Sequence, residues 1–244
     1  MIPFAIIGLQ RSGTTFLRRS LDDHPDIACY GEIFQPRRMV NLQGVAGIDE
    51  MPSKEERDAD PIGYLDRFLS LFADGFIGFK LLLAQSPEVM EEVARRGYRL
   101  ISLRRENALA KYSSTMIFKS MKGTGERFLR PANEGPAAVR ATFSAAAFEQ
   151  YRARDRQQWA AFEAVRDRYR PPCCDIEYAE LAWGDGLDRV LDFLGASRRS
   201  LDAGIVKQNS TDVISRFDNP RAVGAYLSSH GLDAWSHEGP PGGR

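Results

Sequence analysis

Residues 8–17 read Gly-Leu-Gln-Arg-Ser-Gly-Thr-Thr-Phe-Leu: two glycines, one arginine and three hydroxyl side chains between a short apolar run and the start of a helical pattern. These residue types suit an anion. Backbone N–H groups at the mouth of a helix carry partial positive charge and have no intrahelical partners. Gly13 lets the backbone approach a ligand closely, Arg11 adds a fixed positive fork, and Ser12, Thr14 and Thr15 add hydroxyl donors. A second candidate anion site follows the apolar run Leu100-Ile101-Ser102-Leu103, which ends in Arg104 and Arg105. Ser113 comes eight residues after Arg105, a spacing that lets a strand-end arginine and a hydroxyl two helical turns on converge on one phosphate.

The first loop lies close to the pattern G-x-x-x-x-G-K-[ST], with Gly8 and Gly13 at the right spacing and Thr14 where the lysine belongs. That lysine reaches the terminal phosphates of a nucleoside triphosphate, so its absence argues for a different phosphate donor. Two separate anion sites imply a ligand with phosphates at two places, and a nucleotide bearing 5′ and 3′ phosphates meets that demand.

The elements that must position these groups can be read from periodicity and punctuation. Strands are expected at Ile2 to Gly8, Asp26 to Tyr30, Tyr98 to Leu103 and Cys173 to Tyr178, and a strand or strand-to-loop passage containing Lys80 at Phe76 to Leu83. Helices are expected at Thr14 to Asp22, Ile62 to Ala73, Pro87 to Arg96, Asn107 to Phe118, Ser144 to Tyr169, Leu187 to Leu194 and Arg221 to Ser229. Arg37 to Pro61 reads as an irregular surface segment, and mobile segments are expected at about 37–61 and 119–142. The alternation predicts an α/β fold, a P-loop-type three-layer α/β/α arrangement with a central parallel sheet. One domain over 1–244 is expected, with a disordered tail from 236 to 244. Ligands of such sheets sit beyond the C-terminal strand ends, where both anion sites fall.

Bulk properties narrow the field. The chain has 244 residues, 43% hydrophobic and 27% charged, with 33 basic and 33 acidic side chains. A formal charge of zero gives no basic excess for nucleic acid, so an anion site must be local. Cys29, Cys173 and Cys174 form no metal-ligand spacing and read as reduced thiols; His24, His230 and His237 are scattered. With no signal sequence and no long apolar run, a cytoplasmic protein without an integral membrane segment is expected.

Taken together, these segments resemble the sulfotransferases that use 3′-phosphoadenosine-5′-phosphosulfate (PAPS), specifically the bacterial carbohydrate and nodulation-type branch. Gln-Arg-Ser-Gly-Thr-Thr-Phe-Leu (10–17) is similar to their 5′-phosphosulfate loop, and Leu103 to Ser113 to their 3′-phosphate segment. Glu-Tyr-Ala-Glu-Leu (177–181), followed by Asp188 to Gly195, resembles a tyrosine-acidic-leucine strand and Phe-Leu-Gly helix. Lys207-Gln208-Asn209-Ser210 resembles the basic loop that folds over the nucleotide, although the family's basic-basic-glycine pattern is not intact there.

The resemblance implies that Arg11, Ser12, Gly13, Thr14 and Thr15 hold the 5′-phosphosulfate, that Arg105 and Ser113 bind the 3′-phosphate, that Tyr178 meets adenine, and that Lys207 and Gln208 close over the nucleotide. It implies Glu32, in Gly31-Glu32-Ile33-Phe34, as general base, with Lys80 orienting acceptor or sulfonate; the Lys-x-His pattern of animal members is absent, since Leu81 and Leu82 follow Lys80. PAPS would be the co-substrate, adenosine 3′,5′-bisphosphate the product, and no metal would be required. The acceptor would be a hydroxyl of a carbohydrate, glycolipid or small molecule, met by Arg37, Arg38, Lys119, Lys122, Arg127 or Arg130. An ATP-using P-loop kinase and a non-catalytic nucleotide-binding module are the competing readings.

Overall fold

The computed structural model describes residues 1–37, 39, 45, 47, 51–121, 139–204 and 209–240. Its centre is a five-stranded, all-parallel sheet: β1 (Ile2–Gly8), β2 (Ile27–Tyr30), β3 (Phe76–Leu82), β4 (Arg99–Arg104) and β5 (Cys173–Glu177), in spatial order β2-β3-β1-β4-β5. β1 is central, pairing Gly8 with Leu82 of β3 on one side and with Leu103 of β4 on the other. Both faces of the sheet are covered, so its strands are near-continuous apolar runs.

Alternation along β1 divides the core. Ala5 and Ile7 face a cluster built with α3 (Pro61–Ser70), α4 (Pro87–Arg95) and α6 (Ala145–Tyr169), through Phe68, Val93 and Phe162. Phe4 and Ile6 face the other layer, α1 (Thr14–Asp22) and α8 (Gly186–Leu194), through Leu17, Leu21, Val190 and Leu191. Each such buried side chain stabilises the fold by about 1.5–3 kcal/mol, which makes the strand ends firm mounts for the loops beyond them. A third apolar cluster joins α5 (Ala108–Met121) to α9 (Pro220–Ser229), with Tyr112, Phe143, Phe148 and Phe217 in mutual aromatic contact. The three-layer architecture expected from the sequence is the one observed.

Two elements correct the expectations. The segment 37–61 is not wholly irregular: α2 (Lys54–Ala59) forms behind a capping box in which Ser53 accepts from the Glu56 amide and Glu56 accepts from the Ser53 amide. Tyr178 does not end a strand but opens α7 (Tyr178–Trp183), capped reciprocally by Glu177 and Glu180. In both cases the side-chain pair satisfies orphan amides and so initiates a helix where apolar periodicity is too short to announce one. Of the tail from 236 onward, residues 236–240 are described and 241–244 lie outside the described residues. The three cysteines are free, with Cys29 buried and Cys173 and Cys174 on β5. Among the described residues, no helix is long and apolar enough to cross a membrane.

Candidate active site

The loop between β1 and α1 is held open as a cradle. Gly8 ends the strand where a Cβ would lie 2.9 Å from Thr14 Cγ2 and 3.0 Å from the Leu103 carbonyl, so the loop folds back over it only because no side chain is there. Ser12 Oγ, buried, donates to the Leu9 carbonyl at 2.7 Å and tightens the turn. Arg11 sits at φ 67° and Gly13 at φ 95°, both in the left-handed region. For Arg11 this costs on the order of 1 kcal/mol, and it turns the Arg11 carbonyl toward β4, where Arg105 Nη1 donates to it at 2.6 Å. Gly13 is the N-cap of α1 and supplies no capping side chain. First-turn amides are therefore left for an external acceptor.

The Arg11 side chain runs toward α5, its Nε donating to Ser114 Oγ at 3.0 Å, with Asn209 Nδ2 donating to the same hydroxyl at 3.2 Å. Burial, and then the like charge of Arg105, pull Arg11 down to about 10. An anion arriving at the cradle would oppose both effects by favouring the charged guanidinium.

Beyond β4 lies a second cationic pocket. Arg105 Nε donates to Glu238 Oε1 at 2.6 Å and its Nη2 to Glu238 Oε2, a bidentate pair in which both side chains are 7% exposed. Arg216 comes from the segment before α9. Its Nη2 lies 3.5 Å from Glu238 Oε2, and its Nη1 donates to Ser113 Oγ at 3.2 Å. Ser113, fully buried, donates in turn to the Ala110 carbonyl at 3.0 Å. Arg105 and Ser113 thus belong to one cluster with Arg216 and Glu238 as its middle members. Burial opposes the charge on Arg105, but the hydrogen bonds and field of Glu238 outweigh it and raise its pKa. Burial wins at Arg216, which is pulled down to about 10 against the pull of Glu238. The Tyr178 ring lies under the Arg105 guanidinium, 4.3 Å from its carbon, and against Gly13, where an added Cβ would meet Tyr178 Cδ2 at 2.6 Å.

The third group stands where β2 and β3 end. Lys80, on β3, donates from Nζ to Glu32 Oε1 and to Thr15 Oγ1, both at 3.0 Å, and Gln85 Nε2 donates to Glu32 Oε2 at 2.7 Å. Lys80 is 6% exposed; burial lowers its pKa, and Glu32 only partly offsets this. The Glu32 turn is fixed from beneath: the Lys80 amide donates to the Gly31 carbonyl at 3.1 Å, and Arg57 of α2 reaches the Ile33 carbonyl from Nη1 at 3.1 Å. Because Thr15 lies in the first turn of α1, this group touches the cradle through a hydroxyl. The three groups accordingly form a continuous polar strip along the C-terminal strand ends, from Glu32 through Lys80, Thr15, Arg11 and Arg105 to Arg216.

Most residues singled out from sequence lie on this strip: Arg11, Ser12, Gly13, Thr14, Thr15, Glu32, Lys80, Arg105, Ser113 and Tyr178. Lys207 and Gln208 lie outside the described residues, as do Arg38, Lys122, Arg127 and Arg130. Arg37 and Lys119 are exposed. The sequence reading took Ser114 with Ser113 on the helix after Arg105, but did not include Gln85, Arg216 or Glu238. Arg216 and Glu238 sit in no local motif and join the Arg105 group only through the third core cluster. A cleft of about 500 Å³ opens beside this end of the strip, lined among others by Arg104, Arg105, Lys111, Arg152, Trp159 and Trp235. Among the described residues, no group of three metal-ligating side chains gathers.

Residues 3–71, less than a third of the chain, match the model of the sulfotransferase family Sulfotransfer_3. That segment holds β1, the cradle and Glu32. No curated protein matches the chain. Among solved structures, a sulfotransferase from Alicyclobacillus acidocaldarius is similar over 98% of this chain and 97% of that one, at 17% identity and a TM-score of 0.49, a likeness that carries no argument about residues or reaction.

Proposed function

We propose that this protein is a sulfotransferase that moves a sulfuryl group from 3′-phosphoadenosine-5′-phosphosulfate to an acceptor hydroxyl, as in the carbohydrate and nodulation-type branch. The observation that carries the reading is the bond from Arg105 to the Arg11 carbonyl. It ties an uncapped helix N-terminus after β1 to an arginine pocket after β4, and so provides two anion sites at a fixed separation. The spatial order β2-β3-β1-β4-β5 sends the connections after β1 and β4 to opposite sides of the sheet, which makes this crevice the topological switch point where α/β sheets take their ligands. The family match on residues 3–71 supports the same reading from the cradle side.

In this scheme the cradle amides and Arg11 hold the 5′-phosphosulfate, and Arg105 with Ser113 holds the 3′-phosphate. Tyr178 offers its ring to the base. Glu32 accepts the proton of the acceptor hydroxyl while the acceptor oxygen forms its bond to sulfur. The bond between sulfur and the bridging phosphate oxygen breaks, and the electron pair leaves with that oxygen. Lys80 and the cradle donors face the negative charge that develops there. Lys80 is well placed for both ends of this task, since Nζ already bonds Glu32 on one side and the first residues of α1 on the other. The acceptor of this scheme is a hydroxyl of a carbohydrate or glycolipid, brought to Glu32.

Titration calorimetry tests the donor. Adenosine 3′,5′-bisphosphate is expected to bind at micromolar concentration or better, and ATP at least ten times more weakly. Equal affinity for the two, or preference for ATP, overturns the reading in favour of a P-loop kinase.

A further inference from the structure

The arginine pocket already contains a carboxylate. Glu238 reaches it from a short terminal strap held to the body by a modest set of bonds. Its own amide donates to the Thr211 carbonyl at 2.8 Å, the Val213 amide to the Ser236 carbonyl at 2.9 Å, and Asn107 Nδ2 to the carbonyls of Trp235 and His237 at 3.1 and 3.3 Å. The match inside the pocket is incomplete. Two guanidinium groups, Arg105 and Arg216, face one carboxylate. The carboxylate gives Arg105 a full fork at both Oε1 and Oε2, whereas Arg216 stands off at 3.5 Å and gives its donors to the Ser210 carbonyl, the Ala110 carbonyl and Ser113 Oγ, so that its charge, rather than its hydrogen bonds, is left under-matched by Glu238. A carboxylate brings one negative charge and two oxygens. A phosphate monoester brings nearly two charges and three acceptor oxygens, enough for the fork of Arg105, for Arg216 and for the Ser113 hydroxyl together.

We propose that Glu238 is a resident stand-in for a phosphate monoester: the ribose phosphate of the nucleotide enters by displacing this carboxylate from Arg105 and Arg216, and Arg216 becomes a direct phosphate ligand. This rests on the nucleotide reading above and deepens it. Arg216 then joins the binding set, and Glu238 becomes a selectivity residue. A nucleotide without the ribose phosphate leaves the strap in place and gains nothing from the pocket. A nucleotide with it must compete against a tethered anion, so only the stronger, doubly charged group is admitted. No covalent step is involved; one anion is exchanged for another.

The test compares adenosine 3′,5′-bisphosphate with adenosine 5′-phosphate by calorimetry on the full chain and on Glu238→Gln. Removal of the competing charge is expected to tighten the bisphosphate by about tenfold or more and to leave the 5′-phosphate within twofold. Unchanged or weakened bisphosphate binding by Glu238→Gln overturns the proposal and makes Glu238 a support that orients the two arginines. A second readout needs no variant. Hydrogen exchange of residues 233–240 in the native chain is expected to rise when the bisphosphate is added and to stay level with the 5′-phosphate; increased protection with the bisphosphate overturns the displacement. If native chain and variant both fail to bind the bisphosphate, the proposed function falls, and the exchange is read with inorganic phosphate. Tighter phosphate binding by Glu238→Gln than by the native chain then sustains the stand-in, and equal binding removes it.

Discussion

Two carboxylates mark the two ends of the polar strip, and they are held in different ways. Glu32 rests on one ammonium and one amide, with its side chain 24% exposed. Glu238 is clamped by a guanidinium fork, with a second guanidinium nearby, and is 7% exposed. A lysine ammonium is a point charge on a flexible stem and tolerates a change in what it faces, whereas an arginine fork is planar and fixes its partner bidentately. The first arrangement leaves a carboxylate able to turn to an incoming hydroxyl and take its proton. The second holds a shape, suited to an anion that must be recognised. Under the proposed function the same charge pairing serves reaction at one end and recognition at the other, and the partner cation makes the difference.

The comparison breaks most sharply at Glu32. Glu32→Gln keeps an acceptor oxygen for Lys80, gives up the acceptor that faces Gln85 Nε2, and removes the proposed base. Turnover measured with sulfated donor is expected to fall by about 10²–10⁴-fold, while adenosine 3′,5′-bisphosphate binding changes less than twofold. Retained turnover would assign the base elsewhere. At the other end, Arg105→Met strands a buried Glu238 and empties the fork. Loss of one partner from a buried pair costs about 3–5 kcal/mol, to be read as a shift in the denaturant midpoint, and combining it with Glu238→Gln is expected to recover a large part of that loss. Additive losses would mean that the pair does not act as a unit.

The subtler prediction concerns Lys80. Its folded pKa is lowered by burial below the ordinary 10.5, so the native state releases that proton before the unfolded chain does. The cost of burying the charged amine is therefore present at low pH and fades as pH rises through the lowered value toward 10.5. In the proposed reaction activity responds oppositely, because the Lys80 charge assigned to the leaving oxygen is lost over the same window. The alkaline limb of the kcat/KM profile is therefore expected below 10.5, and Lys80→Arg is expected to move it upward at a modest cost in rate. An identical limb in both proteins would free Lys80 from the chemistry.

The layers, the parallel sheet and the cradle were legible in the sequence because each depends on short-range signals: buried β-branched runs, a glycine at each end of the loop, a proline or hydroxyl residue at a helix start. Arg11 and Thr15 could be read because the loop that holds them is contiguous. The pair Ser53 and Glu56 was equally local, and its capping box marks α2 once apolar periodicity is set aside. Arg216 and Glu238 were not legible in the same sense. Glu238 reaches Arg105, and Arg216 reaches Ala110 and Ser113, across separations of more than a hundred residues, beside the packing of Phe217, Tyr112 and Phe148, and no residue near either one advertises an anion. Gln85 is a similar case, useful only because the turn after β3 places it opposite Glu32.

The pairing of Gly8 with Leu103 has one more consequence. Since the cradle and the fork depart from facing rungs of adjacent strands, the gap between them is a ruler cut in backbone, about one strand spacing of 4.8 Å wide at its root. Side-chain drift elsewhere cannot lengthen or shorten it. If the proposed transfer holds, peripheral loops are free to vary with whatever molecule is modified, while the gauge that measures the donor stays the same.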